Sequence, residues 1–277
     1  MFTHNKNASY NLWKSFGRLL HPNKKRKRQD ITKLFCDGNY ITDQHKIATV
    51  MNDHFSNIGT RLQSKLPDHD KEAFKQFLPP ATPNSCFFSL ITFDDVLLEI
   101  QKLNPRKAAG SDGIGAKVIQ LCPDVFALNL VKIYNKYLEL GEYPALMKIA
   151  QVIALFKKGD KSLPNNYRPI SLLSCFNKIF EKLICKKLLN FLEYTKALYE
   201  FQYGFRKLFS TTLALIEMTD SIRRLIDEGN YVLSLFVDLT KAFDTVDHDI
   251  LLYKLQNYGV RGHLNKFFRS YLSQRKQ

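Results

Sequence analysis

The chain has 277 residues, and its 41 lysines and arginines against 26 aspartates and glutamates leave a formal net charge of +15. That length allows one large domain or two small ones around a substantial core, and the charge favours polyanionic partners, nucleic acid first, although many basic proteins are simply soluble. Cys36, Cys86, Cys122, Cys175 and Cys185 are scattered and odd in number, which argues against a disulfide framework or zinc cluster; no apolar run approaches membrane-spanning length, the first residues are too polar for a secretory signal, and the expectation is an intracellular protein.

The N-terminal portion, residues 1–85, reads as a small, mostly helical region. Leu12, Phe16, Leu19 and Leu20 fall at helical spacing before the basic run Lys24 to Arg28, which is either a solvated loop or a nuclear import or nucleic-acid contact. Asp37-Gly38, between Ile31 to Phe35 and Tyr40 to Ile41, predicts a short hairpin. Thr42 then opens a helix with Ile47, Val50, Met51, Phe55, Ile58 and Leu62 on its apolar face, and the polar stretch Pro67 to Pro83 reads as a linker.

Residues 86–277 form the second region. Thr92 and Asp95 predict a capping-box start for a helix that turns Val96, Leu97, Ile100 and Leu103 inward. The loop Lys107-Ala-Ala-Gly110-Ser-Asp112-Gly113 lacks the P-loop order and is either a surface turn or a backbone contact to phosphate. Asp124 to Leu140 predicts a helix with Phe126, Leu130, Ile133 and Tyr137 aligned, ended by Gly141. Ile149 to Phe156 reads as a buried strand, the basic turn Lys157-Lys158-Gly159-Asp160 follows, and Tyr167 to Leu172 returns as its partner. Two cations on that hairpin, Lys158 and Arg168, suit a triphosphate. A long amphipathic helix carries Phe176, Ile179, Phe180, Leu183, Leu188 and Phe191. Another carries Leu215, Met218, Ile222, Leu225 and Ile226 and ends at Gly229-Asn230.

The apolar run Tyr231 to Val237 then reads as a strand that delivers Asp238 at its end on a defined side. A carboxylate there suits a hard cation, and two-metal phosphoryl transfer needs several such groups; a lone Asp at a strand end is more often a cap. Asp244 lies six residues on, while Asp247 and Asp249 suit the N-terminal turn of a helix over Ile250 to Tyr258.

The succession L-N-P-R-K-A-A-G-S-D-G-I from Leu103, A-L-F-K-K-G-D from Ala154, N-Y-R-P-I-S-L-L from Asn166, Q-Y-G-F-R-K from Gln202 with Ser210-Thr211-Thr212, and F-V-D-L-T-K-A-F-D-T-V-D-H from Phe236 resembles the reverse transcriptase of non-LTR (LINE-type) retrotransposons. It covers roughly residues 90 to 277, and the five blocks stand in the family's order. The portion with Trp13-Lys14, the Asp37-Gly38 hairpin and Asn52 to Gly59 is similar to the connector that joins an upstream endonuclease to the polymerase.

The resemblance implies an α+β fold, a right-hand polymerase whose fingers are followed by an incomplete palm. It implies copying of an RNA template into DNA from a primer with dNTPs. Asp238 would be a metal-ligating aspartate for Mg²⁺, with the backbone carbonyl of Leu239 as a further ligand. Phe243 stands where the family has a steric gate against the ribose 2′-hydroxyl, with core packing as its plainer role. Lys157 or Lys158, with Arg168, match the cations that neutralise the incoming triphosphate. Arg206 either contacts the template or braces the fingers, and Lys107 is a further template contact. The family's P-Q-G-S block and its paired aspartates do not occur before Gln277, so the expectation is a partial polymerase without activity as this chain. The alternatives are a non-enzymatic basic nucleic-acid-binding remnant, or a marginally folded product whose cut sheet exposes strand edges.

Overall fold

A computed structural model describes residues 31–64, 72–239 and 241–277. The stretch around Leu12 to Leu20, the pair Trp13-Lys14 and the basic run Lys24 to Arg28 lie outside the described residues. The chain divides into two compact units: 31–51 with Phe156–Arg168, and Asn52–Leu155 with Pro169–Gln277.

In the first unit, strands β1 (Leu34–Cys36) and β2 (Asn39–Ile41) pair antiparallel with Leu34 opposite Ile41. Asp37 and Gly38 both sit in the left-handed region (φ 50° and 81°), the conformation a tight hairpin turn with right-handed strand twist demands. Helix α1 (Gln44–Ser56) begins in this unit. Its cap is Asp43, whose Oδ1 accepts the Lys46 N–H at 2.8 Å, one residue later than the Thr42 start predicted. Leu34, Ile47 and Met51 are buried.

Strand β3 (Gln151–Phe156) leaves the second unit and β4 (Tyr167–Leu172) returns to it, paired as a two-stranded ribbon. The strand predicted as buried is here only half-covered: Ile153 and Leu155 are each 47% exposed, because a two-stranded ribbon has a face to spare.

The second unit is helical. Helix α2 (Ile58–Gln63) follows a break at Asn57, and a 3-10 turn spans Ala73–Phe77. The remaining helices are α3 (Phe93–Gln101), α4 (Ala116–Ile119), α5 (Pro123–Leu140), α6 (Cys175–Tyr194), α7 (Thr211–Asp227), α8 (His248–Asn257) and α9 (Gly262–Leu272). The Thr92–Asp95 capping box forms as predicted, and Gly141 ends α5 at φ 64°. Asp247 caps α8 by accepting the N–H groups of Asp249 and Ile250.

Its core gathers Val96 and Ile100 of α3, Leu130 and Tyr134 of α5, Ile179, Phe180 and Leu183 of α6, Leu252 of α8 and Phe267 of α9. The buried stripe of α5 is Ala127, Leu130 and Tyr134, and Ile133 is exposed, so the helix is rotated from the predicted alignment. Phe180 stacks on Tyr134 at 4.4 Å and on Tyr143 at 5.3 Å between centroids, and meets the edge of Phe267 at 5.8 Å. The polar ends of these rings are satisfied: Tyr134 donates to the Phe176 carbonyl at 2.8 Å and Tyr143 to Asn177 Oδ1 at 2.5 Å.

The stretch predicted as a linker is partly a strap. Thr82 N–H donates to the Asn257 carbonyl, Cys86 N–H to that of Gly259, and the Arg261 guanidinium to the carbonyls of Thr82 and Asn84. A Cβ on Gly259 would stand 2.4 Å from the Asn84 carbonyl oxygen, so the strap lies this close only over glycine.

Helix α7 and the segment after it depart most from expectation. α7 forms and is capped by Ser210, yet it has no buried residue. Tyr231 to Asp238 makes no strand, and Leu233 is 97% exposed. A strand exists only by hydrogen-bonding a neighbour, and none is present among the described residues.

Cys86, Cys122, Cys175 and Cys185 form no disulfide among the described residues. Burial pushes the Cys86 thiol up to about 11. Ellman's reagent at neutral pH is expected to react with exposed Cys122 and Cys185 well before Cys86 and Cys175; equal rates would mean the strap opens readily. Phe180→Ala should lower stability by about 3–5 kcal/mol in urea unfolding, since it empties the centre of the aromatic stack.

Candidate nucleic-acid and nucleotide site

The hairpin tip belongs to the first unit. Lys157 N–H donates to the Asn166 carbonyl at 2.8 Å, and the rings of Phe156 and Tyr167 meet at 5.5 Å, which sets Phe156 opposite Tyr167. Side chains alternate along a strand, so Lys157 and Arg168, each one step further along its strand, share the opposite face as diagonal neighbours. Lys158 lies one step out in the turn. The loop between them is internally braced: Asp160 Oδ1 accepts the Ser162 N–H, Asn166 Nδ2 donates to the Asp160 carbonyl, and Tyr167 donates to that of Lys161. The hydrogen bond from Ser162 holds the Asp160 carboxyl below its ordinary range. Lys157, Lys158 and Arg168 are all exposed, as a polyanion site requires.

In the second unit, the glycine-bearing loop has a structural reason. Gly110 is buried, and a Cβ there would stand 2.4 Å from the Ser174 amide nitrogen and 2.5 Å from the Leu173 carbonyl carbon, at the start of α6. Close backbone packing accounts for this glycine. Lys107 stands exposed in a turn closed by its N–H to the Asn104 carbonyl.

Arg206 is a brace. Its Nε and Nη2 fork onto Glu193 at 3.1 and 2.9 Å, Nη1 donates to the Tyr199 carbonyl at 3.2 Å, and its carbon centre lies 4.3 Å from the Phe209 ring centroid. Only 12% of the side chain is exposed. Glu193, at the end of α6, was not singled out from sequence, and a partner thirteen residues away carries no local signal.

Asp238 is exposed, and among the described residues it has no hydrogen-bond or ion-pair partner. Beyond it the Lys241–Asp244 turn rests on α2: a Cβ on Gly59 would be 2.6 Å from the Asp244 carbonyl oxygen. Phe243 meets Phe205 edge-on at 5.8 Å, and both rings are open to solvent rather than in the core. No three Asp, Glu, His or Cys side chains converge as a metal site among the described residues. Asp238 with the Leu239 carbonyl is too sparse a donor set for a pair of divalent cations, so these residues alone do not fit that group.

A family model described as "Reverse transcriptase (RNA-dependent DNA polymerase)" matches residues 156–277. Residues 156–277 are thus similar to reverse transcriptases. The match implies a polymerase fingers and palm fold. The chain is 36% identical over 168 residues to the "RNA-directed DNA polymerase from mobile element jockey" of Drosophila funebris, covering 60% of this chain and 18% of that relative. It is 34% identical over 181 residues to the protein of the same name from Drosophila melanogaster, covering 65% and 20%. Over 279 residues, 97% of this chain and 29% of the relative, it is 28% identical to the "Probable RNA-directed DNA polymerase from transposon BS" of Drosophila melanogaster. These are non-LTR retrotransposon polymerases, and the chain spans less than a third of their length. The matched segment contains the Lys157–Arg168 hairpin, the Arg206 brace and Asp238.

Arg206→Lys keeps the charge and loses the planar fork. It should cost about 1 kcal/mol, because Glu193 is partly solvated, and should speed amide exchange across residues 199–209 without unfolding the core. Unchanged exchange there would remove Arg206 as the brace.

Proposed function

We propose that this chain is the fingers and first part of the palm of an RNA-directed DNA polymerase from a LINE-type retroelement, with residues 1–85 as its connector to an upstream domain. The observation that carries the reading is the family match over a segment whose hairpin sets Lys157 and Arg168 on one exposed face. Its partners are an RNA template, a DNA primer and dNTPs, and its place is intracellular, with Lys24 to Arg28 as a candidate nuclear address. No helix among the described residues is long and apolar enough to cross a membrane.

In this reading Lys157 and Arg168 neutralise the triphosphate, with Lys158 at the rim, and a planar guanidinium suits two phosphate oxygens at once. Phe243 discriminates against a ribose 2′-hydroxyl, and Lys107 touches the template backbone. Arg206 acts by holding its loop. The reaction of the complete polymerase is nucleotidyl transfer, for which divalent cations, Mg²⁺ by preference, would supply charge neutralisation. Asp238 and the Leu239 carbonyl contribute one part of that ligand set, and the rest must come from other carboxylates. These 277 residues alone are therefore expected to give no templated dNTP incorporation in primer extension with Mg²⁺, and incorporation would overturn that view.

Binding is testable without turnover. A labelled dNTP should bind the chain with an affinity that falls as salt rises, since neutralised phosphates release counterions. Arg168→Ala and Lys157→Ala should each weaken binding about ten-fold, whereas Lys158→Ala should do less. Equal affinities in all three variants would take the triphosphate off this hairpin.

A further inference from the structure

The loop between β3 and β4 is held from within and from outside. Within it, Leu163 N–H donates to the Asp160 carbonyl, Asn166 N–H to that of Leu163 and Lys157 N–H to that of Asn166. From outside comes β1 of the same unit, where Phe35 N–H donates to the Ser162 carbonyl at 2.8 Å. Ser162 is 3% exposed and Leu34, beside Phe35, is fully buried, so water competes little for this bond. Lys33, just before β1, is a second tie: after the Ser162 N–H and hydroxyl, it too favours the charged form of the Asp160 carboxyl. Register leaves Phe35 free for this contact. It stands opposite Tyr40, and with its N–H turned to Ser162 the two form a non-hydrogen-bonded pair, so the β1–β2 ladder bonds belong to the pairs Leu34–Ile41 and Cys36–Asn39.

We propose that the N-terminal hairpin is a positioning element for the triphosphate: the Phe35 N–H holds the Ser162 carbonyl, and through it the loop, in the form that sets Lys157, Lys158 and Arg168 for phosphate, without itself touching the nucleotide. The inference rests on the nucleotide reading above and adds a residue outside the β3–β4 hairpin to it. Coupling between two places in a protein is reciprocal in free energy. A hairpin that favours the nucleotide-binding form of the loop must therefore be held more tightly once nucleotide is bound. The segment read as a connector thus senses whether the site is filled.

The test uses the full chain, a labelled dNTP and amide hydrogen exchange. Saturating nucleotide should slow exchange of the Phe35 amide in the native chain about five-fold, the scale of one hydrogen bond. Phe35→Pro removes this donor and no ladder bond, and should weaken nucleotide binding about five-fold. Phe35→Leu keeps the N–H and should restore native affinity. Native affinity in Phe35→Pro would overturn the inference, as would a Phe35 amide whose exchange ignores nucleotide. Equal loss in Phe35→Leu would also overturn it, by assigning the effect to the ring. Should Phe35→Pro unfold the hairpin, seen as lost protection at Leu34 and Cys36, exchange in the native chain decides alone. These outcomes leave the nucleotide reading standing, whereas a native chain that binds no dNTP removes that reading and this inference with it.

Discussion

The aromatic stack centred on Phe180 is the constraint on which the rest of the helical unit depends. One ring meets Tyr134 of α5, Tyr143 beyond its end and Phe267 of α9, so α5, α6 and α9 share a single contact point. Offset and edge-on ring contacts have narrow geometry, unlike aliphatic packing. The two tyrosine hydroxyls reinforce it, since a buried hydroxyl must find a partner and each finds one on α6. Desolvation drives both phenols well above their ordinary range, so they remain neutral donors.

From that core the functional loops hang at close backbone contacts. Gly110 allows its loop onto the start of α6, Gly259 accepts the strap, and Gly59 seats the Lys241–Asp244 turn. Each lets two backbones approach more closely than any side chain would permit. The block Ala108-Ala-Gly-Ser-Asp-Gly113 therefore owes its first glycine to packing, and the exposed Lys107 before it remains available for other work. The Arg206–Glu193 fork plays the same part for the loop that carries Phe205, with a charge pair in place of a missing side chain.

The regions where local reading and structure part company share one cause. Helix α7 has a good apolar stripe and a good cap, and Tyr231 to Val237 has high strand propensity, but both stay uncovered. Propensity and periodicity state what a segment can become; burial and pairing need a second surface. The exposed apolar length around Asp238 is, in isolation, an aggregation hazard.

Sequence by itself determined the local devices and the resemblance to reverse transcriptases: the Asp37-Gly38 turn, the Thr92 box, the Gly141 terminus, the Asp247 cap and the order of the motif blocks. These are written in contiguous residues, because caps, turns and motifs depend on neighbours a few positions apart. Only the tertiary structure decided that Lys157 rather than Lys158 shares a face with Arg168, that Arg206 is spent on Glu193, that Gly110 serves packing, and that Phe205 stands beside Phe243. Each of those depends on strand register or on chain segments far apart in sequence meeting in space, and no spacing along the chain records it.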